Sequence, residues 1–240
     1  MTSLVPLGVT VEVGDGIAVS ALLQDPPGAV ACLVLAHGAG AGMAHPFMTA
    51  VARELAAHGI ATLRYQFPYM EYKRRRPDPP GLCHATVAAA VESARQLLPD
   101  LPLFAGGKSF GGRMTSQAQA AKPLPSVRGI CFLGFPLHPP GEPSTVRAEH
   151  LFKIQIPLLF LQGTRDAFAE AALLQPLVEK LGAAATLALF EDADHSFHVP
   201  ARTGHSDAQV RAKMVDALGA WIASLSRDDD ARRGRPSTDR

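Results

Sequence analysis

Residues 103–112 read Leu103-Phe104-Ala105-Gly106-Gly107-Lys108-Ser109-Phe110-Gly111-Gly112. The run from Leu103 to Gly106 has the apolar character of a buried strand, and a helical pattern follows from about Gly111 to Ala121. Between them Gly107-Lys108-Ser109-Phe110-Gly111 makes a G-x-S-x-G in the strand-to-helix context that this motif requires. A serine on so tight a turn is held in strained backbone geometry. Side chains two positions to either side would collide, so glycine is needed at both. With 21 glycines in 240 residues, chance supplies only about 0.1 such motifs in a chain of this size. The triplet Gly107-Lys108-Ser109 also matches the end of a phosphate-cradling G-x-x-x-x-G-K-[ST] loop. The first glycine of that loop would fall at Pro102, which has no backbone N–H to offer a phosphate.

On either side of this turn the chain alternates strand and helix. Apolar runs Val30 to Ala36 and Ile60 to Tyr65 flank a segment whose Phe47, Val51 and Leu55 have helical spacing. A helix is expected from Leu82 to Leu98, then strands at Val127 to Leu133 and Pro157 to Gly163. There follow a helix from about Phe168 to Leu181, a strand at Ala185 to Phe190 and a last helix near Asp207 to Leu225, with Val210, Met214, Ala217 and Trp221 on one face. Such alternation implies an α/β fold, a mostly parallel twisted sheet with helices on both faces. Val9, Val11 and Val13 alternate ahead of a turn at Gly14 to Gly16, which reads as an antiparallel edge hairpin. Pro77, Pro79 and Pro80 predict that the stretch from Phe67 to Gly81 is a loop over the sheet edge. Residues 1–225 are expected to form a single domain. Residues 226–240, SRDDDARRGRPSTDR, have too little apolar surface to stay ordered.

Composition narrows the function. The chain has 23 basic and 22 acidic side chains, a net charge of +1. That balance lacks the basic field on which nucleic-acid binding depends. No apolar run approaches the roughly 18 residues of a membrane span, and the first residues lack the basic and apolar regions of a secretory signal. A cytoplasmic protein acting on a small molecule is expected, with oligomeric state open. Cys32, Cys83 and Cys131 are odd in number and lie partly within apolar runs, as buried reduced thiols do.

A serine hydroxyl needs a histidine base, itself oriented by a carboxylate. Asp166 lies just beyond the strand ending at Leu161-Gln162-Gly163, and His195 follows the strand at Ala185 to Phe190, so each would reach the carboxyl edge of the sheet. They are the expected partners of Ser109, ahead of Asp192 and Asp194, which sit beside the histidine in sequence. A developing oxyanion needs N–H donors. The Phe110 amide is one. The second should come from His37-Gly38-Ala39-Gly40-Ala41-Gly42, with Ala39 first and Gly40 close behind. His195 and His198 have H-x-x-H spacing, but no third ligand cluster accompanies them, so neither metal nor cofactor is expected.

The order Ser109, Asp166, His195 and the His37-Gly38 loop resemble the α/β-hydrolase superfamily over nearly the whole chain. More narrowly, HGAGAGMAHPFM, RYQFPYMEYKRRRPDPP, GGKSFGGRM, GFPLHPPGEP and LQGTRD resemble the branch of small, dienelactone-hydrolase-like proteins that includes testis-expressed protein 30. The resemblance implies a fold firmly and a substrate hardly at all. Only a short segment separates the Val127 to Leu133 strand from Asp166, so no large cap domain is expected. The pocket should be roofed by Gln66 to Gly81 and by Gly134 to Pro140. His37, Tyr65, Phe67, Tyr69, Lys108 and His138 are its expected walls, and the run Lys73-Arg74-Arg75-Arg76 would draw in anions. The expectation is a serine hydrolase of a small ester or related acyl substrate, working through an acyl-enzyme. The alternative is a hydrolase-fold binding or scaffold protein with little turnover.

Overall fold

The computed structural model describes residues 5–233. Eight strands form one sheet in the order β1-β2-β4-β3-β5-β6-β7-β8. They are β1 (Leu7–Gly14), β2 (Ile17–Gln24), β3 (Ala31–Ala36), β4 (Ile60–Tyr65), β5 (Leu103–Lys108), β6 (Val127–Leu133), β7 (Leu158–Gly163) and β8 (Ala185–Phe190). The β1–β2 hairpin joins β4 antiparallel. From β4 to β8 every pairing is parallel. The loops that leave β3, β5, β6, β7 and β8 therefore converge on one edge, where α/β sheets hold their ligands.

The apolar runs form strands buried on both faces, as crossover helices demand. Every residue of β3, β4 and β7 is buried. With a side-chain period of two, β3 sends Cys32, Val34 and Ala36 into one core and Ala31, Leu33 and Leu35 into the other. Val87 of α3 (Pro80–Leu97), Met114 of α4 (Phe110–Ala121) and Leu174 of α5 (Ala171–Leu181) fill the first. Val51 and Leu55 of α1 (Pro46–Ala57) and Met214 and Leu218 of α6 (Asp207–Arg233) fill the second. Cys32, Cys83 and Cys131 are buried and unpaired. Burial pushes each thiol up to about 12, which leaves them inert as nucleophiles.

Most elements begin within three residues of the sequence reading, and two stretches depart from it further. The stretch from Phe67 to Gly81 is not loop throughout: it carries a short helix, α2 (Pro68–Glu71), and the start of α3. Pro68 and Pro80 each occupy a helix start, where the missing N–H removes no bond. Glu71 ties α2 to the sheet by accepting from the Ser20 N–H and hydroxyl at 3.0 and 2.8 Å. At the other end α6 runs past Leu225 to Arg233, since neither proline nor glycine occurs between Leu225 and Gly234. Residues 234–240 of the expected tail lie outside the described residues. Between β6 and β7 the described chain holds only a 3-10 segment, Val146–Lys153, and no large cap covers the carboxyl edge. No helix among the described residues is long and apolar enough to cross a membrane.

Candidate active site

Ser109 stands between β5 and α4 with φ 49° and ψ −114°, a left-handed backbone that L-residues avoid. Its N–H donates to Leu133 O at 3.2 Å, which pins the turn to β6. The flanking glycines are required by contact. A Cβ at Gly107 would lie 2.6 Å from Ala36 O, and one at Gly111 would lie 2.5 Å from His37 O. The elbow and the end of β3 thus touch backbone to backbone, and Ser109 is lifted to the sheet edge.

Ser109 Oγ lies 2.8 Å from His195 Nε2, and His195 Nδ1 lies 2.7 Å from Asp166 Oδ2. The Asp166 side chain is fully buried while a fifth of the His195 side chain is exposed. Asp166 is held at both oxygens. Oδ1 accepts from the Phe168 N–H at 2.8 Å, and Oδ2 accepts from the Gln162 amide, whose own oxygen takes the Phe135 N–H at 2.8 Å. With an acceptor-only carboxylate on Nδ1, the neutral imidazole carries its proton there and leaves Nε2 free to accept from the serine. Phe168 packs on the imidazole with ring centroids 4.3 Å apart. Asp194, the rival carboxylate, instead caps its own loop by accepting from the Ser196 and His198 N–H groups. Asp192 pairs with Arg202, and His198 with Asp207.

A cavity of about 420 Å³ opens beside Ser109. Residues 38–41, which include Ala39 and Gly40, form one wall; His45, Phe47 and Met48 at the start of α1 form another; Lys108 and Phe168 complete the lining around His195. Phe110 is the first residue of α4, a position whose N–H has no intrahelical acceptor. Of two other clefts, the one at residues 25–29 with 97–101 holds neither serine nor histidine. The one at residues 137–147 holds His138, Glu142 and Ser144, but His138 Nδ1 bonds to Pro139 O and Ser144 Oγ accepts from the Val146 N–H, so no relay links them.

Five expected wall residues are not in this cavity. His37, Tyr65, Phe67 and Tyr69 are buried, because the chain leaving β4 turns beneath the 37–41 loop instead of over it. From there three of them brace that loop. His37 Nδ1–H donates to Gly38 O at 2.7 Å, His37 Nε2 accepts from the Phe67 N–H at 3.0 Å, and the Tyr69 hydroxyl donates to Ala39 O at 2.8 Å. Burial lowers His37 to about 4, so it stays neutral, as this bonding requires. Tyr69 in turn donates its N–H to Asp78 at 2.7 Å, which anchors the segment expected to form the roof. His138 is also buried and faces the separate cleft at residues 137–147.

Several residues at the site carried little or no sequence signal. Gln162 is the exception, a polar residue near the end of an otherwise apolar strand. Phe47 and Met48 read as ordinary helix core. Arg64 reads as a strand interloper, yet it is buried and donates to Met43 O and Thr49 Oγ1, both at 2.9 Å. Gln66 accepts the Met43 N–H at 3.0 Å. The pair holds the N–H and the carbonyl of one residue, Met43, and so fixes the segment that leads into the Phe47 wall.

A model of the alpha/beta hydrolase domain matches residues 29–223, and the chain belongs to that family. Solved structures agree in fold. Dienelactone hydrolase from Anabaena variabilis is 21% identical over 91% of this chain and 97% of its own, with a TM-score of 0.73. A lidless α/β serine hydrolase from Xanthomonas campestris is 20% identical over 92% of this chain and 97% of its own, with a TM-score of 0.70. Est1E from Butyrivibrio proteoclasticus, solved with ferulic acid bound, is 18% identical over 90% of this chain and 99% of its own, with a TM-score of 0.70.

Proposed function

We propose that the protein is a serine hydrolase that cleaves a small ester or related acyl substrate through an acyl-enzyme, and that it falls in the branch that includes testis-expressed protein 30. The observation that carries this is the unbroken relay Ser109, His195, Asp166 at 2.8 and 2.7 Å, opening on a cavity large enough for a small acyl group. Ser109 Oγ attacks the carbonyl carbon as its proton passes to His195 Nε2. Asp166 keeps the imidazole in the right tautomer and offsets the charge of the imidazolium. The Phe110 amide and the Ala39 or Gly40 amide receive the oxyanion, each such donor contributing about 2.7 to 4 kcal/mol at the transition state. His195 then returns the proton to the leaving oxygen, and water, activated by the same imidazole, hydrolyses the acyl-enzyme.

The cavity also constrains the substrate. Phe47, Met48, Phe168, Ala39 and Ala41 are apolar, and no carboxylate lines it. A cationic acyl group therefore finds no partner, and an uncharged or aromatic one is favoured, in keeping with the ferulic acid held by the Butyrivibrio relative.

The test is fluorophosphonate labelling with peptide mapping, run beside a panel of short-chain and aryl esters. Adduct on Ser109 is expected, with loss of both adduct and turnover in Ser109→Ala. Loss of a nucleophile of this kind lowers kcat by about 10⁶. Full activity in that variant would overturn the assignment. Absence of labelling in the native protein, under conditions that label a control hydrolase, would transfer the case to a scaffold.

A further inference from the structure

Lys108 occupies the position before the nucleophile, the last residue of β5, where a lysine ordinarily extends its ammonium into water. Here it does the opposite. Its Nζ donates to the main-chain carbonyl of His195 at 2.6 Å, at the short end for a charge-assisted bond. The ammonium also lies 5.6 Å from the centre of the Phe197 ring, within cation–π range. Gly134, with φ +74°, leaves room for both groups: a Cβ there would fall 3.1 Å from Lys108 Nζ and 3.4 Å from His195 Nδ1. Three segments thus meet at one ammonium: the end of β5, the turn after β6 and the loop that bears His195.

We infer that Lys108 is a positioning residue whose charged amine fastens the His195 backbone to the strand that presents Ser109, and so keeps Nε2 in line with Oγ. The inference rests on the hydrolase reading above for its kinetic consequences, though not for its structural one. An isosteric apolar side chain would fill the same space without the penalty of burying a cation, so filling space does not account for an ammonium here. The charged groups that face it are Asp166 after β7 and Asp194 on the base loop, beside the titratable His195; Gly134 brings none. Burial lowers the amine to about 8, against the pull of the two carboxylates. It is therefore charged at neutral pH and discharges within a range where kinetics can be followed.

The experiment compares native protein with Lys108→Met across pH 6 to 10, reading kcat, KM and, by hydrogen exchange, the protection of residues 192–198. Misplacing a reacting group by about 1 Å lowers rate by about 10²-fold. The expected result is a fall in kcat of about 10- to 100-fold with KM changed less than about twofold. Native kcat should decline on an alkaline limb near pH 8 that Lys108→Met lacks, and the variant's base loop should exchange faster. A kcat within twofold of native, or the same alkaline limb in both proteins, would overturn the inference. If native Ser109 takes no fluorophosphonate, the hydrolase reading fails on its own, and loop exchange alone judges Lys108. Faster exchange in the variant then supports the strut, and equal protection removes it.

Discussion

Among the described residues, two serine–histidine contacts are of nearly equal length. Ser109 Oγ meets His195 Nε2 at 2.8 Å, and Ser116 Oγ meets His150 Nε2 at 2.7 Å. Only their surroundings differ. Ser116 lies within α4 and is wholly buried, and its hydroxyl donates to Arg113 O at 3.0 Å. With that proton committed, its oxygen accepts from the imidazole, so His150 is a donor there and not a base. Behind His195 stands Asp166, whereas around His150 stand the cations Arg113 and Lys153 and the His84 imidazole. Burial first, and Arg113 next, lower His150 to about 4. Close approach of serine to histidine therefore makes no nucleophile by itself. A carboxylate behind the ring, a hydroxyl turned out of its helix and an open cavity separate the two pairs.

Removing what sets the first pair apart gives the largest effect. In Asp166→Asn the ring loses the acceptor that fixes its tautomer, and kcat on an aryl ester should fall by about 10⁴-fold. Unchanged turnover would erase the distinction drawn above. Next in size is Tyr69→Phe, which frees the carbonyl of Ala39 from the hydroxyl behind it. Looser oxyanion donors should reduce kcat by about tenfold, or roughly 1.4 kcal/mol of barrier, with little change in fluorophosphonate adduct at saturation.

Acid should sharpen the contrast through stability. His37 and His150 are both lowered to about 4, so the unfolded chain binds protons that the fold refuses. Their contribution is complete above about pH 6.5 and is lost as pH falls toward 4. Melting temperature followed from pH 7.5 to 4 should fall most in that window, and the fall should be shallower in His150→Gln. The smallest effect belongs to Ser116→Ala. Its turnover should stay within twofold of native, with stability reduced by about 1 kcal/mol for the lost hydrogen bond. Adduct on Ser116 in native protein would contradict the comparison outright.

The sequence made the sheet, its edge hairpin and the meeting of Ser109, His195 and Asp166 legible because each leaves a local mark. Apolar runs buried on both faces lack alternation, the elbow needs glycines at fixed offsets, and Asp166 and His195 each follow a strand. The walls of the cavity left no such mark. Whether the chain after Tyr65 passes over or under the 37–41 loop depends on Asp78, which reaches back nine residues to the Tyr69 N–H, and on Glu71 gripping Ser20. Phe47 and Met48 have the spacing of helix core, and Met48 is in fact buried with that core as well as lining the cavity. A residue that serves two surfaces looks in sequence like one that serves either.

The left-handed backbone of Ser109 sets stability against use. A residue with a Cβ at such a position is strained by about 1 to 3 kcal/mol, which glycine would relieve. On the hydrolase reading proposed above, the position most needed for turnover is thus one where the chain has a simple route to greater robustness. A laboratory selection for heat tolerance alone would drift toward Ser109→Gly and return sturdier, silent proteins. Any programme to harden this fold has to score turnover in the same round.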